Sequence, residues 1–112
     1  MVNLGQGVVV PVKFPFSDLT RTKWRPALVL AYAEKGDWVL CQITSKAYSD
    51  QSAVIIQQED FIRGGLPLTS YARPGKLFTA NETLLEPPVG QLAKEKHEEV
   101  IDGIIAILKQ NI

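Results

Sequence analysis

Residues Pro26-Ala27-Leu28-Val29-Leu30-Ala31 form an apolar run with no polar alternation, and that run limits the architectures open to the chain. A strand with one wet face alternates apolar and polar residues, whereas a continuous run requires cover on both faces. The proline at its head pushes Arg25 out of the helical region into extended backbone. Arg25 is therefore presented at the mouth of a rigid, buried strand. A planar, permanently charged guanidinium on such a platform suits a phosphate or carboxylate better than a flexible lysine does. The same step recurs at Arg73-Pro74.

Several short apolar segments flank that run. Val8 to Phe14 is β-branched and apolar and reads as the first strand. Pro15-Phe16-Ser17-Asp18 breaks it, and Ser17 to Lys23 is a polar loop. The second strand covers about Pro26 to Tyr32, and Lys35-Gly36-Asp37 turns into a third, Trp38 to Thr44. Period-two alternation sets Val39, Cys41 and Ile43 on one face of that third strand. Gln42 and Thr44 share the other, which places Thr44 at a strand end on a plausible cleft edge.

A loop at Lys46 to Gln51 leads to a fourth strand, Ala53 to Gln57. Asp60 to Gly65 reads as a single helical turn closed by glycine. Leu66 to Ala72 is extended but interrupted by Pro67, and Lys76 to Leu84 reads as the last long strand before Pro87-Pro88. From about Ala93 to Gln110, Val100, Ile101, Ile104, Ile105 and Leu108 follow helical spacing and predict an amphipathic C-terminal helix. Short strands followed by one helix predict a small, strongly bent barrel or sandwich.

The 112 residues fit one domain, 1–112, with a core large enough to need no staples. The lone Cys41 excludes an internal disulfide, and with one histidine there is no metal-ligand spacing, so no metal or cofactor is expected. No signal peptide is evident and no apolar run approaches membrane-spanning length, which predicts a cytoplasmic protein without a membrane partner. Net charge is zero, yet residues 1–33 carry Lys13, Arg21, Lys23 and Arg25 against Asp18 alone. That asymmetry reads either as ordinary surface charge or as a basic patch for a polyanion.

Taken together, Val9–Asp18 (VVPVKFPFSD), Trp24–Leu30 (WRPALVL), Val39–Ser45 (VLCQITS), Asp60–Leu66 (DFIRGGL) and Arg73–Thr79 (RPGKLFT) resemble the MazF/PemK-like toxins of bacterial type II toxin–antitoxin pairs. The final helix, Lys94 to Leu108, fits the family's end, so the likeness spans nearly the whole chain in order. The resemblance implies a small SH3-like β-barrel with a C-terminal α-helix, usually homodimeric. It also implies an endoribonuclease that cuts single-stranded RNA without metal and is blocked by a cognate antitoxin. In the nuclease members, the arginine before the proline and the threonine ending the third strand form the active site. Those positions here are Arg25 and Thr44.

The implied reaction can be checked against the residues. Metal-free cleavage uses the ribose 2′-hydroxyl as nucleophile and must stabilise a crowded, doubly negative transition state. Arg25 can donate several hydrogen bonds to the non-bridging oxygens, and Thr44 with Ser45 can orient the phosphate or the 2′-hydroxyl. His97 stands alone, which excludes a two-histidine acid–base pair. Trp24 and Phe16 either stack on bases or cap the core or a dimer interface. Arg73 either stands solvated in a turn or contacts RNA or a partner. His97 and Cys41 read as structural. The substrate-binding candidates are thus Trp24, Ser45 and Arg73.

Two departures from the family pattern bear on activity. Gly7-Val8 stands where many relatives have Gly-Asp, and Asn81 replaces a carboxylate. The helix also lacks a capping side chain, since Ala93 occupies the cap position, a loss worth ~1 kcal/mol. Two further readings compete with the nuclease: a same-fold toxin that poisons DNA gyrase by binding, and a catalytically inert binding module.

Overall fold

A computed structural model describes residues 4–15, 22–46 and 49–110. Seven strands, β1 (Val8–Pro15), β2 (Thr22–Glu34), β3 (Asp37–Thr44), β4 (Val54–Ile56), β5 (Phe61–Gly64), β6 (Ser70–Asn81) and β7 (Gly90–Leu92), precede one helix, α1 (Lys94–Leu108). All pairings are antiparallel, in the order β4-β6-β3-β2-β1-β7-β5. The sheet curls into a half-barrel with β4 and β5 at its edges, in agreement with the expected small β-barrel and C-terminal helix.

The apolar run in β2 is covered on both faces, as its lack of alternation requires. Leu28 and Leu30 join Val9, Cys41, Ile43 and Ala72 in a core closed by Val100 and Ile104 of α1. Ala27 and Val29 turn the other way, to Val8, Val10, Val12, Leu40 and Leu85. Both clusters are nearly solvent-free, so β2 and β3 are the rigid centre of the molecule. The β2–β3 hairpin turns through Lys35 and Gly36, both at positive φ (53° and 82°), which matches the favoured two-residue hairpin geometry.

Three sequence readings are corrected. Asp60 to Gly65 is not a helical turn: Asp60 ends a 3₁₀ turn that starts at Gln58, and Phe61–Gly64 is strand β5. Pairing of Phe61 with Leu92 and Gly64 with Gly90 outweighs the local helix signal. Gly64 sits at φ 63°, and a side chain there would meet the Val89 carbonyl, so glycine serves a close backbone approach rather than a helix end. Next, the two segments expected at 66–72 and 76–84 share one strand, β6, which runs through Arg73-Pro74 and ends at Asn81. Finally, β7 was not anticipated, because three residues after Pro87-Pro88 carry no periodicity of their own.

The path of β6 has a local reason. Cys41 pairs with Leu77 and Ile43 with Ala72, so Arg73, Pro74, Gly75 and Lys76 stand opposite the single residue Gln42. A bulge of this kind accommodates a proline that has no N–H to give the ladder. Pro74 is fully buried, and Gly103 of α1 packs over it, since an added Cβ there would come to 3.1 Å from the ring.

Candidate functional site

The last β2–β3 ladder pair is Ala27 with Gln42, and two residues further along the two strands lie Arg25 and Thr44. Arg25 itself pairs across β1 with Val12, and Pro26 with Pro11. These strand ends open into a cleft of about 360 Å³. One wall carries Trp24, Arg25, Pro26, Ile43, Thr44 and Ser45. The opposite wall is the loop between β5 and β6, with Gly65, Leu66, Pro67 and Leu68, together with Ser70 and Val89.

Polar side chains in the cleft are few: Arg25, Thr44 and Ser45 on one wall and Ser70 on the other. Thr44 is buried, and its Oγ1 accepts a hydrogen bond from the Lys46 N–H at 3.1 Å. Ser45 is exposed beside it, and Arg25 is half-buried. Among the described residues no carboxylate lines the cleft, and none pairs with Arg25. A positive, multiply donating group facing a cleft with no carboxylate among its described lining suits an anion.

Trp24 lines the same cleft with its indole half-exposed, and Lys13 Nζ lies 5.9 Å from the ring centroid. Its ring is thus on the cleft wall rather than in the core. Four of the five expected site residues, Trp24, Arg25, Thr44 and Ser45, come together. Arg73 does not join them: its Nε donates to Asp50 Oδ2 at 2.8 Å, beside Ser49, Ser52 and Lys76. The solvated-turn reading also fails, because the Arg73 side chain is mostly covered and lies in the β6 bulge.

The loop wall was missed from the sequence. Gly64-Gly65 and Pro67 mark it as irregular, but only folding carries it across to Arg25. It is built stiffly: Gly65 N–H donates to Val89 O, Gln58 Nε2 to Gly64 O, and Ser70 Oγ to Leu68 O. Phe16, Asp18 and Arg21 of the first loop lie outside the described residues, as does that part of the basic patch.

The two departures from the family pattern have structural explanations. Val8 is buried in the core on the side away from α1, where a carboxylate would lose its solvation. Asn81 lies at the end of β6 remote from the cleft lining. Its Nδ2 donates to Lys35 O and Asp37 Oδ1, and its Oδ1 accepts from Thr83 N–H. It locks the β2–β3 hairpin to the 3₁₀ turn at Glu82–Leu84. Among the described residues, no group of three or more His, Cys, Asp or Glu side chains forms a metal-ligand cluster.

The model of the PemK-like, MazF-like toxins of type II toxin–antitoxin systems matches residues 5–108. The chain belongs to this toxin family. Solved structures share its fold. A MazE–MazF structure from Deinococcus radiodurans superposes with a TM-score of 0.76 at 18% identity, over 96% of this chain and 98% of the other. An endoribonuclease from a mycobacterial species gives 0.70 at 15% identity, over 100% and 98%. An endoribonuclease in complex with its cognate antitoxin, also mycobacterial, gives 0.71 at 14% identity, over 98% and 99%. No curated protein matches the chain.

Proposed function

We propose that this family member is an endoribonuclease that cleaves single-stranded RNA without a metal ion. The observation that carries the reading is the convergence of Arg25, Thr44 and Ser45 on one cleft with no carboxylate among its described lining. The 2′-oxygen attacks the adjacent phosphorus, the bond to the 5′-oxygen breaks, and the products are a 2′,3′-cyclic phosphate and a 5′-hydroxyl. Arg25 donates to the non-bridging oxygens, where charge grows in the transition state. Thr44 and Ser45 orient the phosphate with their hydroxyls. The described lining holds no carboxylate or imidazole, so the 2′-hydroxyl proton leaves to water or to a group beyond it, and the departing 5′-oxygen takes up a proton from water. Trp24, on the rim, offers a flat surface for a base.

Two relatives of the same fold support the wider setting, since one is named an endoribonuclease and another is bound to its cognate antitoxin. On this reading the chain works as a cytoplasmic homodimer, silenced by an antitoxin and acting on messenger RNA to stop translation. Among the described residues no helix is long and apolar enough to cross a membrane. A gyrase poison acting only by binding would need neither Arg25 nor Thr44.

RNA cleavage in EDTA tests the proposal, with wild type set beside Arg25→Ala and Thr44→Ala. Removing one transition-state donor is expected to lower the rate by about 10²-fold in each folded variant. Termini are read by enzymatic end-labelling for the cyclic phosphate and free 5′-hydroxyl. No cleavage by the wild type across varied RNA sequences sinks the assignment.

A further inference from the structure

We propose that Ser70 selects the base beside the scissile phosphate, by accepting a hydrogen bond from one N–H group of that base. This rests on the nuclease reading above, and it gives the far wall of the cleft a part that Arg25 and Thr44 do not play.

The inference starts from two hydroxyl residues that line one cleft on opposite walls. A hydroxyl has one proton and two lone pairs, so the bond it already makes decides what it has left to offer. On the near wall, Thr44 Oγ1 accepts from the Lys46 N–H at 3.1 Å, and among the described residues its own proton has no acceptor. On the far wall the order is reversed. Ser70 Oγ donates to the Leu68 carbonyl at 2.9 Å, and among the described residues nothing donates to it. Thr44 is thereby left as a donor and Ser70 as an acceptor. Both residues are buried, so reversing either bond would leave a carbonyl or an N–H unpaired away from water.

A phosphate carries only acceptors when ionised, and so it matches Arg25 and Thr44 and not Ser70. A nucleobase carries N–H donors on its edge and apolar surface on its faces. The wall around Ser70 fits that second group. Leu66, Pro67, Leu68 and Val89 supply apolar surface, and Ser70 is the polar side chain among them. Leu68 stands 64% exposed, and Trp24 across the cleft 49%. Large apolar side chains left open together around one concavity mark a binding face.

Direct backbone contacts fix this wall to the sheet that carries Arg25. Gly65 N–H donates to Val89 O, and Val89 N–H donates in turn to Val9 O of β1. Ser70 itself pairs with Ile56 of β4 at the start of β6. The acceptor therefore has a set place, and a base edge that puts a carbonyl there sets oxygen against oxygen. A site that leaves its buried polar group unpaired in this way rejects a ligand of nearly the same shape.

The test is single-turnover cleavage of RNA randomised at both nucleotides flanking the cut, by wild type, Ser70→Ala and Ser70→Thr. Wild type and Ser70→Thr are expected to favour one base at one of those positions by about tenfold. Ser70→Ala is expected to lose that preference, while cleaving disfavoured sequences within about twofold of the wild-type rate. The favoured base is then replaced by an analogue that lacks one N–H donor. The analogues are purine riboside for adenosine, zebularine for cytidine, 3-methyluridine for uridine, and inosine and 1-methylguanosine for guanosine. Removing the donor is expected to cost wild type about tenfold and Ser70→Ala nothing further. Thermal melts show whether each variant folds, and the analogue comparison in wild type decides the matter if Ser70→Ala does not.

A wild type with no base preference at either position overturns the proposal, as does a preference that Ser70→Ala leaves intact. So does a uniform rate loss across all sequences in Ser70→Ala, or an equal analogue penalty in both proteins. In each of those outcomes the wild type cleaves, and the nuclease reading stands. A wild type that cleaves no RNA overturns that reading instead. Binding of RNAs differing in a single base, read by fluorescence anisotropy, then decides Ser70: a preference lost in Ser70→Ala upholds it, and equal binding of all sequences overturns it.

Discussion

Cys41 lies in the helix-covered core, with no exposed surface and its Sγ 3.2 Å from the Arg73 carbonyl it donates to. Burial pushes the thiol up to about 12, and the hydrogen bond to the Arg73 carbonyl only partly offsets it. A thiol in that state supplies almost no thiolate at neutral pH. Iodoacetamide at pH 8 is expected to leave native protein unmodified, with labelling that follows the unfolding rate when urea is added. Rapid labelling of folded protein, followed by mass spectrometry, would count against the buried assignment. At the same scale, Arg25 shows what one residue's neighbours add. Pro26 fixed its backbone, which is legible in the sequence. Whether it meets a carboxylate or a wall without one depended on what folding brought around it. Arg73 precedes a proline in the same way, yet the β6 bulge turned it to Asp50.

Among elements, α1 is the one most fully written in the sequence. Its buried residues Val100 and Ile104 are spaced one turn apart, and Gly103 between them admits Pro74. Its start is weak: Ala93 is the N-cap and makes no side-chain cap bond. The backbone there, φ −61° and ψ 149°, already has the extended geometry that a capping serine uses. Ala93→Ser is expected to stabilise the fold by ~1 kcal/mol, seen as a higher urea midpoint with an unchanged slope. A midpoint at or below that of wild type would show that another group already satisfies the first turn. Strands β5 and β7 are the opposite case. They are short edge pieces that exist because Gly64 and Gly90 allow close backbone approach. Glycine announces irregular backbone, but not the partner it approaches.

For the whole molecule, the pH dependence of stability follows from titratable groups whose surroundings are set by tertiary packing. His97 faces a surface cavity of about 700 Å³ lined also by Lys94, Glu98 and Asp102. Its Nδ1 is buried without a hydrogen-bond partner among the described residues. Desolvation lowers its pKa from the ordinary 6.5, against the opposing charge of Glu98. The unfolded chain then takes up the proton first, so stability is full above 6.5 and falls as pH drops toward the folded pKa. Asp50 acts at a lower pH. The hydrogen bond from Arg73 holds its carboxyl below the ordinary 3.8, so its contribution is lost only as pH falls below that value. Urea melts at pH 7.5 and pH 5 should therefore show a smaller stability difference in His97→Gln than in wild type. An equal difference in the two proteins would contradict the burial of His97.

Sequence alone determined the class of fold, because the unbroken run at 26–31 needs two covered faces and the spacing from Val100 to Leu108 needs a helix. The resemblance to the toxin family marked Arg25, Thr44, Trp24 and Ser45 as site residues; the residues alone supplied only the extended backbone that Pro26 sets at Arg25 and the strand-end place of Thr44. Those are short-range properties, carried by backbone restriction and side-chain period. Tertiary structure decided which loop forms the far wall of the cleft, that Phe61–Gly64 is an edge strand, and that Arg73 braces Asp50. These depend on registers between segments distant in the chain, where one residue's slip changes every neighbour. No local pattern encodes such a register; it is fixed only when the sheet curls and α1 closes its core.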